Sequence, residues 1–210
     1  MDGGGSRRLV LASASSARLT LLRSAGFDPE VIVSHVSEDG VDELSPAEAV
    51  RTLAERKAAA VAERLVEEPQ TDSVPVIVGC DSLLAIDGVV RGKPSSSDEA
   101  RAWWRDQRGR AGTLLTGHCV VDLVHVHSVT GVAETIVRFG DPTDAEIDSY
   151  LATGEPLEVA GAATIDGYGA PFIDGIDGDH GTVLGLSLPL LRRLLAELGI
   201  AITDLWTKQP

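Results

Sequence analysis

Short apolar runs alternate with helix-length segments over the first half of the chain, and this alternation restricts the fold more than any other feature of the sequence. RRLVLASAS and VPVIVGCD are brief, β-branched or aliphatic, and bounded by turn residues, so they read as buried strands. SARLTLLRSAGF, with Leu19, Leu21, Leu22 and a terminal Gly26, reads as a helix with its C-cap. PEVIVSHVSEDGVDE reads as a second extended stretch ending in an acidic loop. Ser45-Pro46-Ala47-Glu48 then supplies an N-cap, a proline at the first helical position and a capping-box glutamate, for a helix running to about Glu67.

In the second half the strands pair with one another. LLAIDGVVRGKP turns at Asp87-Gly88, Ser97 caps a helix through DEARAWWRDQRG, and TLLTGHCVVDLVHVHSVTG with VAETIVRF reads as a further hairpin. Asp141-Pro142-Thr143-Asp144 starts a short helix through Tyr150, a glycine-rich section spans Gly154 to Gly185, and LPLLRRLLAELG forms a last amphipathic helix. Early alternation and late hairpins predict an α/β fold with a mixed sheet flanked by helices. No repeat or long linker divides the 210 residues, so the expected organisation is a flexible N-terminus over 1–8, one domain over 9–206 and a tail over 207–210.

The chain carries 18 basic and 32 acidic residues, a net charge of −14 that repels nucleic acid polymers. No apolar run approaches the roughly 18 residues that span a bilayer, and no secretory leader is read at the start, so no membrane partner is expected. Cys80 and Cys119 are the only cysteines, both in apolar strand contexts, which fits a reducing cytoplasmic setting.

Fifteen of the basic residues are arginine, and Lys57 and Lys93 are the only lysines apart from Lys208. A compact ammonium suits contact with a single phosphate oxygen, so two isolated lysines invite a reason. Lys93 follows the Asp87-Gly88 turn, which brings it back towards Asp81, a carboxylate at the end of an apolar run where desolvation is costly. Glu38, Asp39, Asp42 and Glu43 offer hard oxygen ligands in a loop, the chemistry preferred by Mg²⁺ or Mn²⁺. Ser13, Ser15, Ser16 and Arg18 stand at a strand-to-helix junction, where free amides and the helix dipole favour anions. Phosphate loops of the GxxxxGKS/T type, GxSxG elbows and HExxH motifs are absent, while His125 and His127 read as surface residues of a hairpin.

Taken together, LVLASASSARLTLLRSAGF, the Gly40-Val41-Asp42-Glu43 loop, LAERKAAAVA, VGCDSLLAIDGVVRGKP, EIDSYLATGEPLEVAGAATIDGYGA and GDHGTVLGL resemble the Maf family of nucleoside triphosphate pyrophosphatases. The resemblance runs in order from about Leu9 to Gly199. It implies a cytoplasmic enzyme that uses Mg²⁺ or Mn²⁺ to split a nucleoside triphosphate into monophosphate and pyrophosphate. It also implies an inosine-triphosphatase-like fold with two lobes around a cleft, assembled as a homodimer. By position, Asp81 matches the family's catalytic aspartate, and Glu43 with Asp81 would hold the metal. Ser13, Ser15, Arg18, Lys57 and Lys93 match phosphate-binding positions.

Ala17, Ser82 and Asp166 stand where a related subgroup uses arginine, threonine and glutamine to choose the base. An ionised aspartate accepts hydrogen bonds but cannot donate them, so Asp166 is expected to read a different base edge from glutamine. The family's usual aromatic is Ala163 here and its usual histidine Gly112. These departures leave a second class open, a catalytically impaired nucleotide-binding regulator. The retention of Asp81, Glu43, Lys57 and Lys93 favours catalysis, and a substrate with a modified base fits the same mechanism.

Overall fold

The computed structural model describes residues 6–67 and 73–207. Strand β1 (Ser6–Leu11) leads into helix α1 (Ser16–Ser24), and the two-residue strand β2 (Glu30–Val31) precedes the long helix α2 (Pro46–Glu67). Strands β3 (Ser73–Ile86) and β4 (Val89–Arg91) form a hairpin, followed by α3 (Ser97–Gln107), β5 (Ala111–Asp122) and β6 (His127–Phe139). Helix α4 (Asp144–Leu151), three short 3₁₀ turns, β7 (Ile173–Asp177), the single-turn α5 (His180–Val183) and α6 (Leu188–Glu197) complete the order before a last 3₁₀ turn over Ile202–Leu205.

Seven strands make one sheet in the order β2-β1-β3-β5-β6-β7, with β4 pairing on β3. β1 lies parallel to β2 and β3, and each later neighbour is antiparallel. The sheet is therefore mixed and flanked by helices, as the alternation predicts. Its central strands are covered on both faces, which is why VPVIVGC reads as a continuous apolar run. Val10, Ala12, Ile77 and Cys119 face Ala54, Ala58, Val61 and Leu65 of α2. Leu9, Leu11, Val76, Val78 and Cys80 face the opposite side, against α1 and α6. The two thiols are thus free and buried on opposite faces, and burial pushes them up to about 11 and about 12.

The helix starts follow their capping residues. Ser45 and Glu48 exchange backbone contacts at the start of α2, and Thr143 and Glu146 do the same for α4. Helix α3 is capped by Ser96, one residue before the expected Ser97, because the Ser96 hydroxyl accepts from the Glu99 amide.

Several boundaries differ from expectation. Residues 6–8 are not part of a flexible terminus, because they pair with Ser73, Val74 and Pro75 of β3; residues 1–5 and 208–210 lie outside the described residues. The extended stretch after Pro29 reduces to two paired residues, since only Glu30 and Val31 register with β1. The β5–β6 turn falls at Leu123–Val126, inside the run expected to be strand. There the buried Asp122 carboxylate accepts from the Val124 amide and His125 Nδ1 and pairs with Arg7, and Val126 takes a φ of 49°. The glycine-rich section contains β7, which pairs with β6 despite only two β-branched residues in its five.

A second buried polar residue ties β5 to α6. His118 is fully buried, with Nδ1 at 3.0 Å from the Thr116 carbonyl and Nε2 at 2.8 Å from the Ser187 amide. The amide can only donate, so Nε2 is the unprotonated nitrogen and the ring is neutral. Burial lowers its pKa from 6.5 to about 4. The unfolded chain therefore takes up this proton first, so the contribution of His118 to stability is complete above pH 6.5 and declines as the pH falls towards 4. Urea denaturation is expected to show wild-type protein losing about 2 kcal/mol more than His118→Gln between pH 7.5 and 5. Equal losses in the two proteins would refute the assignment.

Candidate functional site

The site forms where the sheet is thinnest in side chains. Gly79 of β3 and Gly117 of β5 lie against the backbone of α2, at Ala54–Ala58 and Val50–Arg51, where any Cβ would collide with main-chain atoms. Gly117 is also the cross-strand partner of Asp81, so the neighbour facing that carboxylate has no side chain. This close approach delivers Lys57, at the start of the fourth turn of α2, to β3. Its Nζ lies 2.5 Å from Asp81 Oδ1 and 3.0 Å from Glu38 Oε1.

Asp81 is buried and Lys57 nearly so, while Glu38 reaches in from the exposed acidic loop. Burial pushes the Asp81 carboxyl above the ordinary carboxylate range, against the opposing pull of Lys57 and Arg18, and Glu38 adds to the rise.

Successive strand residues face opposite sides of a sheet, so Ser82 lies on the α1 side. There the Arg18 guanidinium forms a junction of three elements. Its Nε donates to the Gly185 carbonyl at 2.7 Å, Nη1 to Ser13 Oγ at 3.0 Å and Nη2 to Ser82 Oγ at 3.1 Å. Arg18 is 9% exposed, and no carboxylate forms an ion pair with it among the described residues. Three contacts occupy three of its five N–H groups, which leaves a buried cation with donors to spare.

The hydroxyls around it have assigned directions. Thr116 Oγ1 donates to the Thr182 carbonyl at 2.9 Å, so in its 2.9 Å contact with Ser82 Oγ the serine must donate. The Ser82 proton is thereby committed to Thr116, and its oxygen accepts from Arg18. Ser13 Oγ accepts both from Arg18 and from the Ser15 amide at 3.2 Å, so its own proton remains available to an anion. Ser15 caps α1 by accepting from the Arg18 amide at 3.3 Å.

The structure thus joins Asp81 with Lys57, and Ser13, Ser15, Arg18 and Ser82 with one another. Lys93 is 61% exposed and pairs with Glu158 at 3.4 Å, although the β3–β4 hairpin does carry Gly92 back beside Leu83, two residues from Asp81. Glu43 is exposed ahead of α2, and no hydrogen bond or ion pair joins it to Asp81 among the described residues. Ala17 is half-buried on the first turn of α1. Asp166 is exposed and accepts from Thr164 Oγ1 at 2.5 Å, and among the described residues no hydrogen bond joins it to Ser82. The sequence offers Glu38 only as one of four candidate oxygen ligands in the acidic loop, and the resemblance points to Glu43 instead. Thr116 and the Gly185 carbonyl carried no local signal, because they act only through strand pairing and a tertiary turn.

No three His, Cys, Asp or Glu side chains converge as a ready-made metal cage among the described residues. Asp81 and Glu38 nonetheless present hard carboxylate oxygens on either side of one ammonium. That donor set suits an ion such as Mg²⁺, which is commonly held by one or two carboxylates together with substrate phosphates.

The chain is similar to known proteins over nearly its whole length. The family model described as Maf-like protein matches residues 8–198. A protein of Streptomyces coelicolor named nucleoside triphosphate pyrophosphatase is 59% identical over 200 residues, covering 95% of each chain. Proteins with the same name from Streptomyces avermitilis and Salinispora tropica are 57% and 51% identical, covering 96% and 99% of this chain and 95% and 91% of their own. The chain belongs to the Maf-like protein family.

Proposed function

We propose that the protein hydrolyses a nucleoside triphosphate between the α and β phosphates, releasing a nucleoside monophosphate and pyrophosphate. The observation that carries this reading is the buried Lys57–Asp81 pair on one side of β3 with the unpaired Arg18 cation in its hydroxyl cradle on the other. Relatives named nucleoside triphosphate pyrophosphatase support it.

Phosphoryl transfer is mostly positioning and charge stabilisation, and these residues supply both. Asp81 uses the oxygen not bound by Lys57 to orient or deprotonate the attacking water. Lys57 holds the carboxylate in place and presents its remaining donors to phosphate oxygens. Arg18 and the Ser13 hydroxyl neutralise charge on the phosphates, with Ser15 at the helix N-terminus and Lys93 on the hairpin completing the pocket. A bound Mg²⁺ or Mn²⁺, held by Asp81 and Glu38, would polarise the phosphate oxygens. Ala17 and Asp166 stand on the base side, Asp166 as an acceptor. This local cationic pocket offsets the chain's net charge of −14 at the point of substrate entry. A cleft between lobes, a homodimer and a cytoplasmic setting belong to the same proposal.

The test is to incubate the purified protein with normal and base-modified nucleoside triphosphates and either metal, and to resolve the products. Monophosphate with pyrophosphate is expected. Diphosphate with orthophosphate would refute the reading, and no turnover by folded protein would favour a nucleotide-binding regulator.

The geometry also separates the two acidic-loop candidates. Glu38→Gln is expected to raise the metal concentration for half-maximal rate about tenfold, whereas Glu43→Gln changes it less than about twofold. Metal titration of the two variants checks this, and the reverse order would return the metal role to Glu43.

A further inference from the structure

One buried polar side chain takes no part in the chemistry described so far. Gln107, the last residue of α3, is fully buried. Its Oε1 accepts from Arg91 Nη1 at 3.0 Å, and its Nε2 donates to the Gly161 carbonyl at 3.1 Å. Arginine can only donate and a carbonyl can only accept, so the partners fix which way the amide points. A buried amide is costly unless it is paired, and here it is paired with two segments far apart in sequence.

Those segments are two arms of the site. Arg91 immediately precedes Gly92-Lys93, and Gly161 lies on the turn that leads to Thr164 and Asp166. The arms touch directly, through a 2.9 Å hydrogen bond from the Gly161 amide to the Gly92 carbonyl and through the Lys93–Glu158 ion pair. The turn itself is under strain: Gly161 and Ala162 take φ values of 66° and 56°, and for Ala162, which carries a Cβ, the left-handed region costs about 1–2 kcal/mol. A Cβ at Gly161 would run into Leu84 of β3. Helix α3 holds both carbonyls of this turn, Gly161 through Gln107 and Ala162 through Trp104 Nε1 at 2.8 Å.

We infer that Gln107 is a positioning residue for Lys93. By tying the end of β4 to the Gly161–Ala162 turn, it sets where the Lys93 ammonium meets the substrate. The inference rests on the phosphate-binding role proposed for Lys93.

A double-mutant cycle tests it. Gln107→Glu keeps the side chain's length and its acceptor for Arg91 but sets an acceptor against the Gly161 carbonyl. For hydrolysis of a nucleoside triphosphate, it is expected to lower kcat/KM about tenfold in the parent and less than about twofold in a Lys93→Ala background. Equal falls in both backgrounds would show local packing alone and overturn the inference. So would parental kcat/KM in a Gln107→Glu protein with unchanged circular dichroism and Tm. If that variant does not fold, Gln107→Met, which removes both polar contacts at similar volume, carries the same cycle with the same outcomes. Parental kcat/KM in Lys93→Ala alone would refute the phosphate role itself, a failure visible before Gln107 enters the comparison.

Discussion

Asp81→Asn is expected to lower kcat by about 10²–10⁴ while the protein stays folded. The carboxylate is the buried partner of Lys57, and asparagine keeps its shape while removing the charge that orients water and holds a cation. Folding should survive for two reasons. Lys57 retains Glu38 as a partner at 3.0 Å, so the ammonium is not stranded. Asp81 also has its carboxyl pushed above the ordinary range mainly by burial, which means that its ionisation opposes folding. The folded protein binds this proton more tightly than the unfolded chain, so the cost of the charge sets in as the pH rises through the ordinary carboxylate range and is full above the raised value. Asparagine avoids that cost. Turnover within about tenfold of the parent in folded Asp81→Asn would remove Asp81 from the water-activating role.

The two halves of the site were unequally legible in the sequence. Serine caps, the Asp-Gly turn and the β-branched runs have local causes, so α1, α2 and the β3–β4 hairpin follow from composition and spacing. Lys57 and Asp81 stand out as charges beside apolar segments, and Gly79 and Gly117 then bring them together in a way that no local window contains. The β5–β6 turn falls earlier than the sequence predicts, because the Asp122 carboxylate that accepts from the Val124 amide is also paired with Arg7, on a strand more than a hundred residues earlier. β7 was hidden for a related reason: Ile173–Asp177 is a weak strand former that is held by its register on β6. The acidic loop shows the limit most clearly. Four carboxylates within six residues are chemically alike on paper, and only the position of the Lys57 ammonium distinguishes Glu38 from Glu43.

Arg18 carries the second large effect, because one guanidinium serves the fold and the chemistry together. Replacing it with methionine leaves the Gly185 carbonyl without its donor and removes the contacts that orient Ser13 and Ser82, across α1, β3 and the turn into α6. Hydrogen bonds to a charged group contribute about 1.5–3 kcal/mol each, but a methionine fills much of the volume and the hydroxyls can turn to other partners. The expected net loss is about 3 kcal/mol of stability, with kcat/KM falling at least about a hundredfold. Arg18→Lys separates the two roles. An ammonium keeps the positive charge beside the phosphates but lacks the planar fork that spans Gly185, Ser13 and Ser82 at once. That variant is expected to lose about half as much stability as Arg18→Met and to show a KM raised about tenfold with a smaller change in kcat. Chemical denaturation and steady-state kinetics on the same preparations measure both effects. If Arg18→Met were as active as the parent, the buried cation would be purely structural, and phosphate binding would fall to Lys57 and Lys93. If Arg18→Lys were as impaired as Arg18→Met, geometry rather than charge would govern the phosphate pocket.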